Sequence, residues 1–339
     1  VQVAAVVAGV LTDYALWRPG APDGVGDVHR GRVSARAPAM AGAFVALAGD
    51  VSGFLPDSAG AKGLIEGDAV RVRIVRAAQG GKGPRLLAEA RDAGPPALLR
   101  RGPTPVERLL ALHVGADVLT DDPSLAPELS RMLGRRVAVS GEMLDDDLAA
   151  QIETLGRAEV TLRSGARLTV TPTPALVAID VDAGAAAGSL ASVNRAALPE
   201  IARQIRLRNL SGAIVVDLAG MSPRGRGALG PDLSAALAGD PIGPGFLGFT
   251  ALGLAEIVRP RVHPPLHELH AGPHAAGLAA LRAAASSGSN VALRASPQVA
   301  EALQADPAAL DGLARRTGRA LMLRSDPTLT AWGWRLEAT

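Results

Sequence analysis

Three aspartates near the middle of the chain have the type and spacing for metal-assisted phosphate chemistry: Asp180, Asp182 and Asp217. Asp180 and Asp182 close the run Val177-Ala178-Ile179-Asp180-Val181-Asp182, and on an extended strand they point to the same face. Asp217 closes a second apolar run, Ala213-Ile214-Val215-Val216-Asp217. Carboxylates are hard oxygen ligands that hold Mg2+ or Mn2+ while leaving positions for water and phosphate oxygens. A cation held this way activates a water and stabilises charge on a phosphodiester under in-line attack. All three acids, Asp180, Asp182 and Asp217, could converge on one spot. By pattern alone the same acids also suit helix caps and strand-end turns, which is the commoner use of Asp.

Positioning them requires two strands and a connection. Both runs are rich in β-branched residues and bounded by Gly or Pro, so both read as buried strands. Between them Leu198, Ile201, Ala202 and Ile205 fall on one helix face. Strand, helix, strand predicts a right-handed crossover with parallel strands, whose C-terminal ends open onto a ligand crevice. Asp180 and Asp217 would both stand at that edge. Pro199 removes a hydrogen bond and clashes with the preceding turn in mid-helix, so the helix is expected to begin near Leu198 or kink there. Asn194 suits a helix cap. Arg203, Arg206 and Arg208 fall off the apolar face, open to phosphates or to water.

Composition sets the outer bounds. At 339 residues and 48% hydrophobic content, two to three domains with real cores are expected. There is no cysteine, which excludes disulfides and thiolate zinc sites and suits a reducing compartment. A net charge of +2 does not by itself argue for nucleic acid. The basic residues are nearly all Arg, which suits bidentate phosphate contacts; the only lysines are Lys62 and Lys82. No stretch reads as a membrane span or signal peptide, so a cytoplasmic protein is expected.

The stretch VAIDVDAG, followed by NRAALPEIARQIRLRNLSGAIVVDLAGM, resembles the catalytic region of the ribonuclease E/G family. TALGLAEIVRPRVHPPLHEL resembles the segment that follows it there. The resemblance implies a Mg2+-dependent endoribonuclease that hydrolyses single-stranded RNA, leaving a 5′-phosphate, in RNA processing or decay. It assigns the magnesium to Asp180 and Asp217. This chain departs from the family pattern in several places. Asp182 stands where the family usually has Asn, and Gly220 where it commonly has a further Asp. The segment after Asp217 carries mainly Arg224 and Arg226 where relatives are strongly basic. The zinc-binding Cys pair that can join subunits is missing, so zinc is not expected and a homo-oligomer would need other contacts. His270 and His274, in HAGPH, are the alternative metal ligands. The longer insertion that senses RNA 5′ ends, with its Arg-Thr pair, is also missing.

Residues 28–33, 43–47, 53–55 and 69–75 read as short strands separated by turns, as in an oligonucleotide-binding barrel. This region resembles the family's S1 domain. The resemblance maps its RNA contacts onto Phe44, Phe54 and Lys82, and Arg30 is a further expected contact on the same barrel. Single-strand binders pair stacking faces with cations in this manner. Asp145-Asp146-Asp147 reads as a helix start. A strand over 290–294, helices around 299–303 and 310–316, and a strand over 320–323 resemble the family's small α/β tail.

The fold class expected is therefore α/β (α+β) and multidomain. An RNase-H-like subdomain over 1–25 and 92–158 is interrupted by an S1-like barrel over 26–91. A DNase-I-like catalytic subdomain over 159–270 and a small α/β domain over 271–339 follow. The alternative to an enzyme is a non-catalytic RNA-binding protein that keeps the same scaffold.

Overall fold

Alternating β-branched and polar residues, broken by Gly and Pro, dominate the first hundred residues of the computed structural model, which describes residues 1–141, 145–287 and 291–338. β1 (Gln2–Val7) and β2 (Val10–Leu16) form an antiparallel hairpin. Five strands then close into a ring: β3 (Val28–Ala37), β4 (Gly42–Ala46), β5 (Ser52–Pro56), β6 (Ala69–Arg76) and β7 (Arg85–Arg91). β3 pairs β4, β4 pairs β5, β5 pairs β7, β7 pairs β6, and β6 returns to β3. Only the β5–β7 pairing is parallel. Val33, Val45, Leu55, Val70, Val72, Ile74 and Leu86 fill the ring, while Arg71, Arg73 and Arg91 alternate outward. Gly31 is required on β3, because a Cβ there would stand 2.4 Å from Val45 Cγ1. β8 (Ala97–Arg100) adds to the outer edge of β3.

Next come α1 (Pro105–Leu112), β9 (Leu119–Thr120), α2 (Ala126–Leu133), β10 (Ala138–Val139) and α3 (Asp146–Thr154). Helices and short strands alternate through this segment. Asp145 accepts the backbone N–H of Leu148 at 2.7 Å, so the acidic triplet does start a helix.

The central sheet follows, in the order β11 (Glu159–Thr161), β12 (Arg167–Pro172), β13 (Val177–Asp182), β14 (Gly212–Asp217), β16 (Ala255–Arg259), β15 (Gly245–Phe249). Only β13 and β14 are parallel, joined through α4 (Leu190–Leu207); α5 (Pro223–Gly227) and α6 (Gly230–Leu237) lie between β14 and β15. Ile179, Val181, Ile214 and Val216 turn one face of the sheet into the core, with Leu198, Ile201 and Ile205 of α4 and Leu233 of α6. The intervening residues point to the other face.

The expected start of α4 needs correction. The helix begins at Leu190, capped by Ser189, and Pro199 sits inside it. Its buried face extends back through Ala197 to Val193, in step with Leu198, Ile201 and Ile205. Burial of that longer face offsets the roughly 3 kcal/mol cost of an interior Pro.

The C-terminal part contains α7 (Leu266–His270), α8 (Pro273–Ser286), β17 (Val291–Ala295), α9 (Pro297–Gln304), α10 (Pro307–Thr317), β18 (Met322–Ser325) and β19 (Trp334–Ala338). The last three strands form a sheet in the order β18-β17-β19, packed on Leu281, Val299 and Leu303. Asn290, the expected first residue of β17, lies outside the described residues. The chain forms two compact units: residues 1–17, 22–109 and 150–266 in the first, and 18–21, 110–149 and 267–339 in the second. No described helix is long and apolar enough to cross a membrane.

Candidate active site

Asp180 and Asp217 are partners in the parallel ladder of β13 and β14. Neighbouring strands lie about 4.8 Å apart, so the two acids stand side by side at the C-terminal strand ends. The cause is local. Ile179 and Val181 on one strand, and Val216 on the other, are driven into the core, which turns Asp180 and Asp217 to the opposite face. Both are exposed, and neither has a hydrogen-bond or ion-pair partner among the described residues.

The backbone just beyond Asp217 is fixed from α4. The Asn194 side chain is fully buried; its Nδ2 donates to the Ala219 carbonyl at 2.8 Å and its Oδ1 accepts the Ala219 N–H at 2.9 Å. Asn194 is therefore an interior clamp on the turn after Asp217, and Ser189 takes the capping role expected of it.

Asp182 shares the face of Asp180 but does not join the pair. Arg167 lies opposite it on β12 and donates to it at 2.6 Å, and the Gly184 N–H donates to it at 2.9 Å. These two bonds, that of Arg167 first, hold its carboxyl below the usual carboxylate range. Among the described residues no group of three or more His, Asp or Glu side chains is arranged to hold a metal. The expected convergence of three acids is thus corrected to a pair, because cross-strand register gives Asp182 to Arg167. Two exposed, adjacent carboxylates do suit Mg2+, which takes one or two carboxylates and keeps its remaining ligands as water or phosphate oxygen.

The three arginines of α4 and its C-terminus are structural. Arg203 donates to the Leu11 carbonyl, Glu200 and Gln151, and Arg206 is bidentate to Asp13 at 2.6 and 2.8 Å. Arg208 is buried and donates to Gln204 and to the Arg157 and Thr154 carbonyls. None is left to meet a phosphate. Arg226, in α5, packs against Gly253, where a Cβ would collide with its guanidinium.

On the ring, Phe44 and Phe54 are cross-strand partners with centroids 5.6 Å apart in a T-shaped pair. Phe44 is 37% exposed, enough to offer a ring surface. Lys82 is exposed in the turn between β6 and β7, bridged to Gln79. Arg30 is not with them. It lies five residues along β3 from Ala35, the residue opposite Phe44, and pairs with Asp92 at 3.3 Å. In the second unit the His274 Nε2 lies 2.9 Å from Asp306, and His270 and His274 form no metal group with a third ligand. Sequence reading missed Arg167 as the partner of Asp182 and Asn194 as a clamp; only strand register and tertiary packing reveal either role.

This arrangement defines an α/β protein with an acidic, strand-end site on a parallel pair and a separate β-ring carrying an aromatic pair. Residues 124–262, which include the acids, match the model described as Ribonuclease E/G family. Ribonuclease E of Nostoc sp. is 32% identical over 208 residues, covering 54% of this chain and 30% of that protein. Ribonuclease G of Escherichia coli K12 is 31% identical over 146 residues, covering 41% and 29%. Ribonuclease E of the same strain is 35% identical over 144 residues, covering 40% and 14%. The segment 124–262 is thus similar to the ribonuclease E/G family, and the chain spans at most about a third of the length of these relatives.

Proposed function

We propose that this chain is an endoribonuclease that hydrolyses single-stranded RNA at Asp180 and Asp217 with Mg2+. The observation that carries the reading is the in-register pairing of two exposed acids at parallel strand ends, inside the segment that matches the ribonuclease E/G family. Asp180 and Asp217 would hold the cation and so set where a scissile phosphodiester lies. Mg2+ bound there supplies charge neutralisation on phosphate and a more acidic water. Asn194 fixes the turn behind Asp217, and Asp182 keeps Arg167 at the rim of the site. Water adds to phosphorus, the bond from phosphorus to the 3′ oxygen breaks, and the products carry a 5′-phosphate and a 3′-hydroxyl.

The ring of β3–β7 is read here as an S1-like oligonucleotide-binding barrel, since its strand order suits that fold. Phe44 and Phe54 stack bases, and Lys82 meets the backbone. Residues 1–25 and 92–158 would form the RNase-H-like part, 159–270 the DNase-I-like part and 271–339 the small tail. The role proposed is RNA processing or decay in the cytoplasm. A second reading, an RNA-binding scaffold without turnover, draws on Gly220 and on the loss of Asp182 to an ion pair.

The test is cleavage of an unstructured, end-labelled RNA with and without Mg2+, comparing wild type with Asp180→Ala and Asp217→Asn. Mg2+-dependent cleavage lost in both variants supports hydrolysis. RNA left intact by wild type, or cut equally by Asp217→Asn, overturns it.

A further inference from the structure

Three arginines of the first unit meet at one seam, and among the described residues no carboxylate is paired with any of them. Arg76 ends β6 and Arg85 begins β7, directly opposite each other in the ladder. Arg261 arrives from the central sheet, just past β16. The Ala77 N–H donates to the Val262 carbonyl at 2.8 Å, stitching the residue after Arg76 to the residue after Arg261. The Arg261 guanidinium lies against Gly212, where a Cβ would stand 2.6 Å from Nη2. Gly212, at φ +86°, both permits the turn and makes room for that group.

The cluster is electrostatically unfinished. Arg76 Nε is buried and has no hydrogen-bond partner among the described residues. Burial first, then the like charges of Arg85 and Arg261, lower the pKa of Arg76 from its ordinary value. Of the six other arginines on the ring strands, five meet a carboxylate: Arg30 and Arg71 meet Asp92, Arg36 meets Asp57, Arg73 meets Glu89 and Arg91 meets Asp68; the sixth, Arg32, donates to the Gly67 and Gly94 carbonyls. A planar guanidinium fits two phosphate oxygens, and gathered cations without counter-charges favour an incoming anion.

The seam also continues the aromatic pair. Arg85 is the β7 partner of Phe54 in the parallel β5–β7 pairing, and the Phe54 N–H donates to the Pro84 carbonyl at 2.8 Å. We propose that Arg76, Arg85 and Arg261 form a subsite for a backbone phosphodiester of the single strand whose bases lie on Phe44 and Phe54. This rests on the RNA-binding reading above and adds a grip distinct from the acid pair. Asp217 lies at the other end of β14, five residue steps or about 17 Å from Gly212. Substrate is thus held at the seam as well as at the site of attack.

The experiment is a salt titration of binding, by fluorescence anisotropy, of the whole chain to a labelled oligouridylate in the absence of Mg2+. Each single-strand phosphate contact contributes about −0.7 to the slope of log K against log salt. The Arg85→Gln variant is expected to make the slope shallower by about 0.7, and Arg76→Gln/Arg85→Gln/Arg261→Gln by up to about 2. Restoring charge with Arg85→Lys should recover most of the slope. Arg163→Gln, an exposed arginine away from the seam, sets the effect of removing one charge anywhere. The subsite is overturned if Arg85→Gln, folded as judged by its melting curve, binds with the wild-type slope or changes it no more than Arg163→Gln. That result leaves the RNA reading standing. Wild type that fails to bind the oligonucleotide at low salt overturns both.

Discussion

The two ends of the β13–β14 pair treat charge in opposite ways. Near the start of β14, Arg259 is 2% exposed and paired to Asp240 at 2.7 Å, with further bonds to Asn209 and the Leu210 carbonyl. At the far end Asp180 and Asp217 are exposed and have no partner among the described residues. A buried charge survives only where its donors and acceptors are met. Two adjacent acids without a counter-ion cost stability, which the fold tolerates where water or a cation can reach them. The buried pair near the start of β14 holds the sheet together; the acid pair at the far end is open to water or a cation.

The sharpest way to break this contrast is to disturb both ends and compare. Asp240→Asn leaves Arg259 buried and without its counter-charge, and should cost about 3–5 kcal/mol in urea unfolding. Asp217→Asn should do the reverse. Stability stays within about 0.5 kcal/mol of wild type. RNA cleavage falls by at least about a hundredfold, since even outer-shell losses at metal sites cost 10–100-fold. If Asp217→Asn destabilised the chain as much as Asp240→Asn, the division of labour would be wrong.

Phe44→Ala should weaken single-stranded RNA binding by about 1–3 kcal/mol, read by anisotropy, while leaving hydrolysis of a saturating substrate nearly unchanged. The smallest effect concerns Asp182. Because its folded pKa is depressed, its contribution is complete above the ordinary carboxylate value of about 3.9 and is lost as pH falls through the lower folded value. Arg167→Gln should bring its titration back toward about 3.9, measured by carboxyl NMR shifts against pH.

Much of the site was legible because its signals are local. The runs ending at Asp180 and Asp217 are short, β-branched and bounded, so strand and edge position follow from neighbouring residues. Phe44 and Phe54 sit on strands whose alternation is equally plain. Features that depend on distant partners were not legible. Arg206 reads as a solvated arginine until Asp13, 193 residues away, is found beside it. Asp182 reads as a metal ligand until register brings Arg167 opposite. Pro199 reads as a helix boundary, because local chain chemistry cannot register the burial of Val193 and Ala197 ahead of it. The division into units follows from chain segments that return after long excursions, and no local composition marks it.

The clamp on Ala219 makes α4 a strut. Its 18 residues span about 27 Å. One part grips the turn behind Asp217 through Asn194, and the last turn is moored to β2 by Arg206 on Asp13. Slack at that mooring travels along a rigid rod to the acid. Asp13→Asn, though remote from the open face, should therefore make amide exchange at Ala219 faster, and a catalytic defect would follow from a residue that never meets substrate.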